Sequence, residues 1–181
     1  MFEKYKYFVL ILFVLGTIKV FGQNNTLFKV NVQNIKSSND IQKTWLLPVF
    51  VDRVIDGDTI VVKIDNPPQG LNESERVRFL GVDTPETVHP NKVVQWFGKE
   101  ASEYTKKMLE KKKVYLAFDW DLRDIYKRLL AYIYLEDGTC FNAKQVRDGY
   151  AHAYTRYPFQ FMDEFKRYEN NARLKKIGLW K

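Results

Sequence analysis

Two β-branched runs, Pro48–Ile55 and Thr59–Ile64, are separated only by Asp56-Gly57-Asp58. Side chains branched at Cβ suit a pleated, half-buried surface, and an Asp-Gly step supplies the backbone freedom of a tight turn. The segment therefore predicts a β-hairpin, and the rest of the chain must be read around it. Asn66–Ser74 holds two prolines, a glycine and two asparagines and reads as a loop, after which Arg76–Val82 is a third strand. Thr87–Gln95 is polar and contains proline, a surface loop. Ala101, Tyr104, Thr105, Met108 and Leu109 recur on one face of a helix over Glu100–Lys113. Val114–Phe118 and Leu129–Tyr134 are strands, the second closed by Glu136-Asp137-Gly138. Asn142–Tyr150 is a short helix. Phe161–Lys176 is a third, with Phe161, Phe165, Tyr168 and Ala172 along one side and Gly178 beyond its end. Three consecutive strands, a helix, two more strands and closing helices give an α+β class: a five-stranded OB-fold β-barrel with three helices.

The N-terminal part follows another logic. Lys4 and Lys6 precede an apolar run from Phe8 to Ile18, and Val20-Phe21-Gly22 follows. That is the order of a secretory signal peptide over residues 1–22. The run is shorter than the ~20 apolar residues of a comfortable membrane span. The expectation is a secreted or periplasmic protein with no stable membrane association once the leader is cut; a retained anchor or a buried helix are the alternatives. Residues 23–46 are polar, a linker or extension, and 47–181 form the domain. The lone Cys140 excludes an internal disulfide framework or a multi-cysteine zinc site, and two histidines, His89 and His152, argue against a His-rich metal site. With 29 Lys+Arg against 22 Asp+Glu, a formal charge of +7 favours polyanionic partners.

Four clusters could carry chemistry: Asp56-Gly57-Asp58-Thr59, Arg78, Asp83-Thr84-Pro85-Glu86, and Tyr126-Lys127-Arg128. Singly, each has an ordinary reading as a turn, a solvated loop or a surface ion pair. Together they suggest more. Arg78 sits among Val77, Phe79, Leu80 and Val82 and needs a partner if it points inward. Asp58 opens one strand and Asp83 follows its neighbour, so both can stand at one end of paired strands as a hard oxygen site for Ca²⁺ or Mg²⁺. Glu86 is placed to act on a water, and two guanidiniums could grip a phosphate as charge builds on it. These are the parts of metal-assisted phosphodiester hydrolysis.

The blocks Val54–Ile60, Arg78–Thr87, Phe97–Ala101 and Leu130–Tyr134, in this order, resemble the staphylococcal nuclease (thermonuclease) family over about residues 47–181. The resemblance implies a Ca²⁺-dependent OB-fold nuclease that cuts DNA and RNA, single-stranded or locally unpaired, to 3′-phosphate ends, and a monomer with no protein partner. Carried over by position, Asp58, Asp83 and the Thr84 carbonyl would hold Ca²⁺, with Asp56 supporting the metal loop from behind. Glu86 would be the general base, and Arg78 and Arg128 would stabilise the transition state. Tyr126, Lys127, Tyr154 and Tyr157 would contact substrate, Tyr154 only with a one-residue shift. Ile125 stands where the family prototype has a nucleotide-binding lysine, and Lys127 and Leu129 replace glycines beside Arg128. The competing function is a non-catalytic OB-fold that binds nucleic acid; it would not need the full set of acids and arginines. Lys106, Lys107, Lys111, Lys112 and Lys113 read as a solvated basic run at a helix end.

Overall fold

The computed structural model describes residues 37, 38, 40, 46–87 and 95–181. The leader, most of the extension, His89 and the rest of the segment 88–94 lie outside the described residues. Strand β1 (Leu47–Asp56) pairs antiparallel with β2 (Thr59–Lys63), as the hairpin pattern requires. The register of this pair shifts between Val51 and Arg53 and again between Val54 and Asp56. Such bulges bend and twist a strand. They let one strand serve two neighbours: Leu47–Phe50 pairs with β5 (Lys113–Ala117), while Phe50–Asp56 pairs with β2. Strand β3 (Ser74–Phe79) lies antiparallel to β2 and parallel to β6 (Leu129–Tyr134), and β5 joins β6 to β1. The order β1-β2-β3-β6-β5 is a closed barrel. Closure leaves no exposed edge, and alternate side chains fill the lumen: Val51, Ile60, Val62, Val77, Leu116, Leu129 and Ile133 are all buried.

Helix α1 (Gly98–Leu109) lies between β3 and β5 in the chain and packs on β1, while α2 (Phe141–Arg147) packs on β6 and on α3 (Met162–Leu174). Five barrel strands and three helices are the expected architecture. Among the described residues no helix is long and apolar enough to cross a membrane.

Several element boundaries differ from expectation, among them α2, which ends at Arg147 and not Tyr150, and two have a visible tertiary cause. The third strand stops at Phe79; Val82–Asp83 is a separate strand β4, paired with β7 (His152–Ala153) in a two-stranded ladder. The chain turns at Leu80-Gly81, Gly81 taking a φ of 69°, and the Arg78 guanidinium clamps that turn by donating to the carbonyls of both Phe79 and Val82. Helix α1 ends at Leu109, not Lys113. Lys111 takes a φ of 57°. Its N–H donates to the Val51 carbonyl at 3.0 Å, and the Val51 N–H donates to the Lys112 carbonyl at 2.9 Å. Barrel closure thus takes Lys111, Lys112 and Lys113 out of the helix, and only Lys106 and Lys107 sit in its last turn. Cys140 is fully buried, a small apolar plug.

Part of the extension is bound to the domain. Buried Glu164 on α3 accepts the Ser38 N–H at 2.8 Å and the Ser38 and Ser37 hydroxyls at 3.0 and 3.1 Å. The Tyr134 hydroxyl donates to the Ser38 carbonyl at 2.6 Å.

At the far side of β3, Glu75 is buried against Arg123, at 2.7 Å from Nη2 and 2.9 Å from Nη1, and accepts from Asn72. Burial pulls its carboxyl upward, but the Arg123 hydrogen bonds and charge, with Asn72, outweigh burial and hold it below the ordinary value. A depressed folded-state value stabilises the protein above the unfolded value near 4.3 and loses that contribution as pH falls through the folded one. Arg123→Met is therefore expected to cost about 2 kcal/mol at pH 7. Urea midpoints should show the gap to wild type narrowing below about pH 4. A gap independent of pH would remove the charge pairing as its cause.

Candidate active site

One guanidinium organises the mouth of the barrel where β2, β3 and β4 meet. Arg78 projects from β3 opposite Thr59 on β2. Its Nη1 lies 3.2 Å from Asp58 Oδ2 and its Nη2 3.1 Å from Asp83 Oδ1. Two carboxylates from different strands therefore converge on one cation, and the inward-pointing arginine has its partners. Asp58 is buried, while the Asp83 side chain is 50% exposed and faces the opening. Asp58 Oδ2 also accepts the Thr84 N–H at 3.1 Å and the Thr84 hydroxyl at 3.2 Å, and its Oδ1 accepts the Thr59 hydroxyl at 3.0 Å. These contacts fix the carboxylate in one orientation, and Oδ1, which accepts from the Thr59 hydroxyl, keeps acceptor capacity.

The hairpin turn that carries Asp58 is held from beneath. The Gly57 carbonyl accepts from the Thr105 hydroxyl at 2.8 Å and from Gln145 Nε2 at 2.7 Å. A Cβ at position 57 would lie 2.6 Å from the Thr84 hydroxyl oxygen, so only glycine allows the turn and the Asp83-Thr84 segment to approach this closely. Asp56 Oδ1 accepts the Asp58 N–H at 3.1 Å. Burial, the charge of Asp58 beside it and the charge of Glu86 push the Asp56 carboxyl up to about 7. Asp83 is also raised: burial, Asp58 and Glu86 outweigh the pull of Arg78. Asp56, Asp58, Asp83 and Glu86 thus share one crowded field of negative charge.

Glu86 is set by its backbone. Its N–H donates to Gln95 Oε1 at 2.8 Å, and its carbonyl accepts the Gln95 N–H at 3.0 Å. The first turn of α1 presses on the same segment: a Cβ on Gly98 would lie 2.8 Å from Thr87 Cγ2 and 3.1 Å from the Glu86 carbonyl oxygen. Helix α1 therefore packs directly against the loop that presents Glu86.

Arg128 lies just before β6, the strand beside β3, and Leu130 stands opposite Arg78. It makes no contact with the Arg78 cluster. Asp124 holds it, accepting from Nε at 2.7 Å and from its N–H at 2.9 Å. Its terminal Nη atoms have no hydrogen-bond partner among the described residues and are available to an anion. Tyr126 is exposed, with its ring 5.4 Å from the Arg128 guanidinium carbon. Lys127 adopts a φ of 65°, and its carbonyl accepts from Arg123. Tyr154 does reach the site: its N–H donates to the Gly81 carbonyl, and its ring lies 5.9 Å from the Arg78 guanidinium carbon. Exposed Tyr157 follows it at 6.1 Å. The structure thus joins Asp56, Asp58, Arg78, Asp83, Thr84 and Tyr154 by direct contacts. Glu86 belongs to them through its charge, and Arg128 with Tyr126 stands as a second basic group.

Among the described residues, no three His, Cys, Asp or Glu side chains form a ready cation cage. Two carboxylates and a carbonyl are nevertheless a suitable donor set for a hard cation that completes its shell with water and substrate oxygens. Burial and mutual repulsion raise Asp56 and Asp83, and a divalent ion would relieve the repulsion. The residues present fit a hard divalent cation.

A family model described as "Staphylococcal nuclease homologue" matches residues 76–181. The chain is 41% identical to a thermonuclease of Staphylococcus intermedius over 146 residues, 80% of this chain and 81% of that protein. The chain belongs to the staphylococcal nuclease family. It is also 42% identical to a thermonuclease of Staphylococcus hyicus over 131 residues, 72% of this chain and 73% of that one. It is 40% identical to the endonuclease YncB of Bacillus subtilis over 138 residues, 75% and 62% of the two chains.

In this member of the staphylococcal nuclease family, several site-forming residues escape a motif reading. Thr105 reads as one more position on the buried face of a helix, yet its hydroxyl holds the Gly57 carbonyl. Gln145 is a fully buried amide in a short helix, and nothing in its neighbourhood in sequence points to Gly57. Gln95 and Asp124 are polar loop residues of the kind a sequence offers in quantity. The spacing Asp124-x-x-x-Arg128 was the available hint for the last of these.

Proposed function

We propose that the chain is a metal-dependent nuclease that hydrolyses phosphodiester bonds of DNA and RNA. The observation that carries this reading is the convergence of Asp58 and Asp83 on Arg78 within the field of Glu86. Family membership agrees with it, and the thermonuclease and endonuclease names of the relatives point the same way.

Asp58, Asp83 and the Thr84 carbonyl would hold Ca²⁺, which when bound supplies positive charge to a non-bridging phosphate oxygen. Glu86 accepts a proton from a water, and the water oxygen attacks phosphorus in line with the leaving group. The P–O5′ bond breaks, the 5′ oxygen takes a proton from solvent, and the 3′ side keeps the phosphate. Arg78 donates from Nε and its spare Nη2 hydrogen, which its carboxylate and carbonyl partners leave unused. Arg128 donates from its terminal nitrogens, Asp124 holding only Nε and the backbone N–H. Both arginines meet charge that is greatest in the transition state, so they favour it over bound substrate. In the proposed substrate cleft, Tyr154 and Tyr157 stand beside Arg78 and Tyr126 beside Arg128. Lys127 adds charge beside Tyr126. The basic leader followed by an apolar run supports export, which N-terminal sequencing of the released protein tests.

Single-stranded DNA and RNA incubated with the protein in Ca²⁺, Mg²⁺ or excess chelator give the test. Cleavage is expected with Ca²⁺ and to fall to background with chelator, with products ending in 3′-phosphate. Full cleavage in chelator would overturn the metal assignment. Binding without cleavage in every condition would leave a nucleic-acid-binding barrel in place of an enzyme.

A further inference from the structure

A column of aromatic rings runs from the barrel core to the surface beside the Glu86 loop. Phe79 on β3 packs edge-on against buried Phe141, 6.0 Å between centroids. Phe141 stacks on Tyr104 at 5.7 Å. Tyr104 stacks on Tyr150 at 3.9 Å with only 2° between the planes. Tyr150 meets Phe97 at 5.6 Å, and Phe97 meets Trp96 at 6.4 Å. The column ends there, because the Trp96 residue is 72% exposed.

Its end is held in place. Phe97 adopts a φ of 65°, a conformation that a bulky L-residue takes only when its surroundings enforce it. The turn is tied by the Gly98 N–H to the Gln95 carbonyl at 3.1 Å and by the Ala101 N–H to the Phe97 carbonyl at 3.1 Å. Gln95, next to Trp96, is the residue whose backbone and side chain both bind the backbone of Glu86. A large apolar ring left in water, on a constrained turn, one residue from the group that fixes the catalytic loop is not explained by packing.

We propose that Trp96 is a stacking platform for one nucleobase of the bound strand, a subsite separate from the Tyr154–Tyr157 side of the cleft. This rests on the nuclease reading above. A base has a π-face whatever its identity, so such a platform binds single strands with little sequence preference. It selects against duplex, whose bases already stack on each other. The Phe97 ring, tilted 47° to the indole, supports it from the column side and leaves the rest of it open to a base.

The test uses short single-stranded oligodeoxynucleotides in which one abasic site is walked along the strand. Cleavage is read as KM and kcat with Ca²⁺; binding is read as Kd by fluorescence anisotropy in chelator. With wild-type protein, one abasic position is expected to raise KM and Kd roughly ten-fold, kcat changing little. Trp96→Ala should lose the same roughly ten-fold on the intact strand and show no further penalty at that abasic position. Trp96→Phe should keep part of it. An equal abasic penalty in wild type and Trp96→Ala overturns the subsite, as does a Trp96→Ala variant that binds and cleaves like wild type. So does an oligomer seen only with wild type, which would make the indole a protein contact. Should wild type cleave nothing, the nuclease reading fails, and the anisotropy comparison still decides whether Trp96 holds a base.

Discussion

Glu86→Gln is expected to lower kcat by about 10³-fold or more while KM moves little. Glutamine keeps the size of the side chain and removes its capacity to take a proton at neutral pH. Among the contacts that position residue 86 are its backbone N–H and carbonyl with Gln95, and the substitution leaves both in place. It also removes one negative charge from a group of acids that repel one another, since Glu86 contributes to the upward shifts of Asp56 and Asp83. The melting temperature should therefore stay equal or rise slightly. Initial rates on single-stranded DNA with Ca²⁺, together with thermal melts, check both halves. Wild-type turnover in the variant would end the assignment of Glu86 as base. A large fall in melting temperature would mean that the lost activity reports damage to the fold.

Arg78→Ala should impair both chemistry and stability, and the two effects can be separated. Loss of a phosphate donor in a preorganised site costs about 10²–10³-fold in kcat. The same substitution strips buried Asp58 of its ion pair, takes a partner from Asp83 and frees the carbonyls of Phe79 and Val82. Removing one partner of a buried pair costs about 3–5 kcal/mol. In chelator, urea midpoints should show that loss in full. Added Ca²⁺ should recover part of it, because the ion binds only the folded site and offsets the same carboxylates. Arg78→Lys keeps the charge without the planar fork, so it should recover more stability than activity. Equal midpoints for wild type and Arg78→Ala in chelator would show that Arg78 does not balance the acids.

The barrel and its acid–arginine set were legible because each rests on local signals. The hairpin is written in β-branched runs around Asp56-Gly57-Asp58, and β6 (Leu129–Tyr134) keeps its expected bounds. Asp58, Arg78 and Asp83 fall at strand ends that the register forces together. What sequence does not carry are choices made by tertiary contact. Residues 110–113 have good helical character, but the Val51 backbone recruits Lys111 and Lys112 and ends the helix. Val82–Asp83 continues an apolar strand pattern, but the chain turns at Leu80-Gly81, Arg78 clamps that turn through the Val82 carbonyl, and the segment pairs with His152–Ala153. Arg128 lies in a matching motif, yet its orientation depends on Asp124, at which only the four-residue spacing hints.

The pairing of β3 with β6 is parallel, while the other barrel pairs are antiparallel. β1, β2 and β3 can zip up as neighbours in sequence, but β6 docks only after a long intervening segment is arranged, an entropically late event. Asp58 and Arg78 belong to the early part, whereas Arg128 arrives with β6 and Asp83 is fixed only when β4 meets β7. A half-assembled chain therefore holds Asp58 and Arg78 but neither Arg128 nor a fixed Asp83, and the proposed site is whole only once the last seam is shut.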